Sequence, residues 1–217
     1  MIARRSAGGS LRRWPLVATV ALTLSSCSGA APRDGGSGSD PCDALGYPCG
    51  PFGSSADSVL ANFTIDGRRD DNHDGRITDD PAHPLQAADY FDDKKVKALL
   101  LFITAEWCIP CRAVQPELVD LSTRSRTDGT GLAVLEVLLQ SADGTTADQA
   151  TIERWATTYR IPFDMGIDPG GALVGDHETM TFPSQLIVTT SDMRIFWRAT
   201  GIVPGGLSGP VHSALNQ

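Results

Sequence analysis

Cys108 and Cys111 are the residues of this chain whose type and spacing are best suited to chemistry. With Ile109 and Pro110 between them they form a Cys-x-x-Cys motif, set between an apolar run, Ala98 to Thr104, and an amphipathic helical pattern, Ala113 to Arg124. A thiol pair that closes a strand and opens a helix suits dithiol–disulfide exchange. The first sulfur meets unpaired backbone N–H groups and the positive helix end, which favour a thiolate; the second lies one turn deeper, where it can displace a captured partner. Cys108 is therefore the expected nucleophile and Cys111 the resolver. The same spacing also suits structural zinc, but zinc needs four ligands and no second Cys/His pair at metal spacing follows. No metal is assigned to the thiols, and the redox-active disulfide itself is the only group the exchange requires.

The elements that must position these thiols can be read around them. Ala98-Leu99-Leu100-Leu101-Phe102-Ile103-Thr104 lacks alternation, which predicts a strand covered on both faces. The helix that follows is interrupted at Pro116, where a kink is expected. Leu132 to Gln140 reads as the second inner strand, and the intervening helix makes it parallel to the first. Ile152, Trp155, Ala156 and Tyr159 recur at helical spacing within Asp148 to Arg160, which places Trp155 in the core. Phe163 to Ile167 is a candidate edge strand, and Gly171 to Gly175 a candidate helical turn. Leu186 to Thr190 and Arg194 to Thr200 form a hairpin, with a helix over Gly206 to Leu215. Upstream, Val59 to Asp66 reads as a strand and Pro84 to Asp93 as a short helix packing Leu85, Ala88 and Tyr90 or Phe91 inward.

Trp107-Cys108-Ile109-Pro110-Cys111, Pro116 five residues on, and Phe182-Pro183-Ser184 resemble the thioredoxin superfamily, in particular its TlpA/ResA-like, redoxin-domain branch. The resemblance runs from about Val59 to the C-terminus and implies a thioredoxin-like α/β fold with a mixed central sheet flanked by helices. It further implies a cis Phe182–Pro183 peptide beside the nucleophile and an extended substrate held by Trp107, Ile109, Pro110, Phe182 and Pro183. The implied function is thiol–disulfide exchange on exported proteins, in the reducing direction, with electrons from an upstream membrane thiol donor. Many thioredoxins bury an acid near the resolving cysteine; here Phe102 stands at its usual place, and aligning the strands puts Glu136 in a core position nearby. Glu136 is thus either the base that takes the Cys111 proton or a strand-end or surface glutamate facing polar neighbours. Glu106 is expected to be exposed and to shape substrate contacts. The related peroxidases set their cysteine in Thr-x-x-Cys with a helping arginine, and Thr104-Ala105-Glu106-Trp107-Cys108 does not reproduce that spacing. Peroxide reduction remains an alternative, as does a non-catalytic surface lipoprotein that uses the fold for binding.

The first 26 residues combine Arg4, Arg5, Arg12 and Arg13 with the apolar segment Trp14 to Leu24, the pattern of a secretory signal. Leu24-Ser25-Ser26-Cys27 resembles the bacterial lipobox, which makes Cys27 the expected lipidated N-terminus and the chain an exported lipoprotein, anchored to a membrane and facing the periplasm or cell surface. Residues 27–58 are expected to form a tether, flexible from Ser28 to Pro41, with Cys42 and Cys49 closing a small structural disulfide or else standing as free thiols or a second redox pair; residues 59–217 make the domain. The net charge is −8 before the four leader arginines are removed, a balance that argues against nucleic acid or anionic lipid as partners. Asp70-Asp71-Asn72-His73-Asp74-Gly75-Arg76-Ile77 matches the opening of an EF-hand loop, with Asp70, Asn72 and Asp74 at the ligand spacing, but Pro81 stands where the bidentate carboxylate belongs. Both a solvated acidic turn and a weak, irregular Ca2+ site fit that pattern.

Overall fold

A computed structural model describes residues 46–169, 173 and 181–217. The leader, Cys27, the 28–41 tether, Cys42 and the 171–175 turn, with the exception of Leu173, lie outside the described residues. Among the described residues seven strands, β1 (Thr64–Arg68), β2 (Ala82–Gln86), β3 (Ala98–Thr104), β4 (Leu132–Leu138), β5 (Asp164–Ile167), β6 (Ser184–Thr189) and β7 (Arg194–Thr200), form one sheet in the order β2-β1-β5-β4-β3-β6-β7. β3–β4 and β4–β5 pair in parallel and the other neighbours antiparallel, so the sheet is mixed. The helices are α1 (Ile109–Asp128), α2 (Gln149–Tyr159) and α3 (Ser208–Leu215). This is the thioredoxin-like α/β fold.

β3 is buried at all seven positions, as its unbroken apolar run requires. Leu100 and Phe102 point into a core shared with Leu118 of α1, Trp155 of α2 and Val211 of α3. Leu99, Leu101 and Ile103 point the other way, onto Tyr47, Phe63, Tyr90 and Ile195. Two helices are bounded by their own residues, whereas the first amides of α3 donate to Glu117 of α1. Gly129 closes α1 in the left-handed conformation at φ 63°, and the Asp148 side chain accepts the N–H of Thr151 at the start of α2. Pro116 lies inside α1, and no described helix is long and apolar enough to cross a membrane.

Four expectations change. The first strand starts at Thr64, not Val59, and pairs with a strand the sequence reading missed: Ala82–Gln86 stands where a helix was expected, followed by a single 3-10 turn, Ala87–Asp89. Pro84 is tolerated because β2 is an edge strand, and Ala87 rather than Ala88 is fully buried. β5 is not an edge strand, since β1 pairs with its free side. The expected tether boundary at residue 58 falls too late. Tyr47 is buried and donates to the Leu60 carbonyl at 2.7 Å, and the Asp57 and Leu60 amides donate to the Ile195 and Met193 carbonyls.

Candidate active site

The chain leaves β3 at Thr104 and enters α1 at Ile109, so Cys108 falls at the N-cap. Its Sγ accepts the N–H of Cys111 at 3.2 Å. Pro110 sits in the first turn, where its missing N–H leaves no intrahelical bond unmade. The two cysteines are joined by a disulfide. Cys111 is fully buried and Cys108 is 2% exposed, whereas Trp107 and Ile109 are 43% and 75% exposed. A partner approaching the bridge therefore meets Trp107 and Ile109 first.

Trp107 is held from two sides. Its Nε1 donates to Gln140 Oε1 at 2.8 Å, and its ring meets Phe182 edge to face, 5.6 Å between centroids. The Phe182–Pro183 peptide is cis, as the resemblance implied. Ser184, the next residue, pairs with Ile103 near the end of β3, so the antiparallel register brings the proline loop to the strand end that delivers the thiols.

Glu106 departs from expectation. Its side chain is only 13% exposed and takes part in a local network: Arg154 donates to both carboxylate oxygens, the Ala142 amide donates to Oε2, and Arg112 donates to its carbonyl. An acid one residue from an exposed tryptophan reads as surface in a sequence; Arg154, 48 positions away, draws it in.

Glu136 is fully buried in the middle of β4, opposite Phe102 of β3, which rules out a strand-end surface position. Gln115 Nε2 donates to its Oε1 at 2.6 Å and Trp155 Nε1 donates to the same oxygen at 3.1 Å, while Oε2 has no partner. Gln115 Nε2 also lies 3.5 Å from the Cys111 carbonyl, so one amide links the buried acid to Cys111. Burial pushes the Glu136 carboxyl up to about 8, against the opposing pull of the Gln115 and Trp155 bonds. A carboxyl so poised can hold or release a proton near neutral pH.

Sequence reasoning missed Gln115, Gln140 and Arg154, and it placed Trp155 in the core without its hydrogen bond. Gln115 alone had a local signal: a polar residue four after Cys111, on the helix face that the thiol shares. Cys49 is described but Cys42 is not, so their pairing remains an expectation.

Residues 70–195 match the AhpC/TSA family. The thioredoxin-like protein YneN of Bacillus subtilis is 31% identical over 96 residues, 44% of this chain and 52% of that protein, so the match spans about half the length of that curated relative. Among solved structures, the thioredoxin domain of a thiol-disulfide oxidoreductase from Bacteroides vulgatus aligns with a TM-score of 0.53 and 15% identity, over 76% of this chain and 100% of that one. The exposed lipoprotein thioredoxin Etrx1 of Streptococcus pneumoniae aligns with a TM-score of 0.50 and 20% identity, over 72% and 98%. A 2-Cys peroxiredoxin of Plasmodium vivax aligns with a TM-score of 0.55 and 8% identity, over 76% and 81%. At these identities the structural likenesses establish the fold, and the family match covers more than half of the chain: it belongs to the AhpC/TSA family, as a redoxin-domain member of the thioredoxin superfamily.

Proposed function

We propose that this chain is a thiol–disulfide oxidoreductase of exported proteins that works as a reductant, with Cys108 as nucleophile, Cys111 as resolver and Glu136 as the base. The Cys108 thiolate attacks one sulfur of a substrate disulfide, forming a mixed disulfide and expelling the other substrate sulfur, which takes up a proton. Cys111 then gives its proton to Glu136 and attacks Cys108 Sγ, closing the Cys108–Cys111 bridge and releasing the second substrate thiol. Two electrons pass to the substrate, and an upstream thiol donor at the membrane restores the dithiol. Trp107, Ile109, Pro110, Phe182 and Pro183 provide the surface on which an extended substrate lies.

The observation that carries this reading is the Cys108–Cys111 bridge at the N-terminus of α1, bordered by the Trp107–Phe182 contact. Attachment through lipid on Cys27 rests on the leader and the lipobox resemblance; a structural disulfide between Cys42 and Cys49 rests on their spacing. Peroxide reduction is less well supported, because Arg112, next to Cys111, and Arg154 are both engaged by Glu106.

The test is trapping. Reduced protein should cleave the interchain disulfides of insulin; Cys108→Ser should abolish this, and Cys111→Ser should accumulate a mixed disulfide visible by mass. If Cys111→Ser captures nothing and Cys108 alkylates no faster than free cysteine, the enzymatic reading fails. Equilibration against glutathione sets the direction: a potential near about −270 mV supports a reductant and one near about −120 mV an oxidant.

A further inference from the structure

The loop from Asp70 to Asp80 joins β1 to β2 and takes no part in the proposed exchange. It contains two buried carboxylate oxygens that nothing satisfies. Asp70 is 7% exposed; its Oδ2 accepts the N–H of Gly75 at 3.0 Å and pairs with Arg126 Nη1 at 2.8 Å, but Oδ1 has no partner. Asp80 is 5% exposed and its Oδ2 likewise has none. Asp79, Asp70, Asp71 and Asp74 all act on Asp80 through their charge. Arg68, beside it, donates to the Thr78 and Asp80 carbonyls and to Glu153 and Gln149, and none of these bonds reaches Asp80 Oδ2. A buried carboxylate oxygen that accepts no hydrogen bond is disfavoured, even on a carboxylate such as Asp70 whose other oxygen is paired, and a bound cation would satisfy both orphan oxygens.

We propose that this loop is a Ca2+ site whose side-chain ligands are Asp70, Asn72, Asp74 and Asp80. The first three stand at the one-three-five spacing of a calcium loop, and Gly75 makes the sharp turn at φ +86°. Ile77 is fully buried in the core that the helices share, which anchors the loop at its eighth position. Asp80, one residue before Pro81, supplies the closing carboxylate that position twelve lacks. Among the described residues no three Asp, Glu, His or Cys side chains form a ready ligand cluster, so binding draws Asp74 and Asp80 toward Asp70, with Asn72 and main-chain oxygens completing the shell. An all-oxygen, carboxylate-rich set favours Ca2+ over zinc, and its size and flexibility disfavour Mg2+. Without a bidentate glutamate the affinity belongs at the weak end, on the order of 10⁻⁴ to 10⁻³ M.

Calorimetric titration of the purified full chain with CaCl2, paired with thermal melts, tests the site. One saturable ion per chain is expected, with a rise in Tm that equal MgCl2 does not reproduce. Asp74→Asn keeps the Oδ1 that accepts the Arg76 amide while removing the charge that pairs with the Arg76 guanidinium, and should weaken binding at least tenfold, as should Asp80→Asn. Cys108→Ser should leave binding unchanged, so failure of the redox reading does not touch this one. No saturable binding up to about 10 mM Ca2+, tenfold beyond the weak end of that range, overturns the site, as does affinity undiminished in both aspartate variants.

Discussion

Glu136 couples stability to pH through a single group. In the folded chain its carboxyl is raised from 4.5 to about 8, chiefly by burial. Between those values the folded state holds a proton that the unfolded chain has released. The resulting stabilisation is fully present below the unfolded value and is lost as pH rises through about 8, with an upper bound of roughly 5 kcal/mol. Glu136→Gln keeps an oxygen for Gln115 and Trp155 and places its amide on the side where Oε2 has no partner. Urea unfolding at about pH 5.5 and 8.5 should therefore show the variant losing about 1–3 kcal/mol less than the parent; equal losses would mean that Glu136 does not titrate in this range. The same variant should slow release of a Cys108 mixed disulfide by on the order of 10²-fold and flatten its pH dependence near 8, as quench-flow would read. A purely structural glutamate would change the unfolding curves and leave that profile in place.

At the scale of elements, the join between β1 and β5 depends on two glycines. Gly67 faces Gly166 across the pair, and a Cβ on Gly67 would run into the Met165 carbonyl and Leu85 Cδ1. Gly67→Ala should push β1 off β5, costing about 1–3 kcal/mol and speeding hydrogen exchange at the β1 and β2 amides. Gly209, in the first turn of α3, meets nothing beyond its chain neighbours where a Cβ would go, but Pro210 follows it and disfavours helical backbone at a residue with a Cβ, so Gly209→Ala should stay within about 1 kcal/mol of the parent in urea unfolding. The contrast reflects what a sequence can reveal. β3, α1, β4 and α2 were legible because their apolar patterns are long and each is set mainly by its own residues. β2 was not, because Pro84 reads as a breaker until its edge position is known; nor was the interior placement of the four-residue β5, which depends on a partner about 100 positions upstream. The site divides the same way. The dithiol and the proline loop were readable from motifs, whereas the burial of Glu136 and the Glu106–Arg154 pair depend on contacts between distant segments.

Over the whole molecule, the N-terminal segment and the C-terminal hairpin stabilise each other. Residues 52–60 bridge to β7 through Val59↔Arg194 and through reciprocal bonds in which the Ile195 amide donates to the Ser58 carbonyl and the Asp57 amide to the Ile195 carbonyl. Tyr47 seals the far end: it is 4% exposed, packs edge-on against Phe91 at 5.5 Å, and lies in the core that also holds Leu99, Leu101 and Ile103 of the strand leading to the thiols. A residue that sequence reasoning assigned to a tether thus supports the back of β3. Tyr47→Ala should remove roughly 3 kcal/mol, the low end of the aromatic truncation range, because it deletes a buried ring and leaves the Leu60 carbonyl without its donor. For a domain of this size that is a fall in Tm of roughly 6–12 °C. Phe52, on the same segment but 51% exposed, serves as the control, and Phe52→Ala should stay within about 1 kcal/mol of the parent. If Tyr47→Ala melts with the parent, the segment is dispensable and the domain begins nearer Val59; if it melts early in one transition followed alike by far-ultraviolet and tryptophan signals, residues 47–217 fold as one cooperative unit.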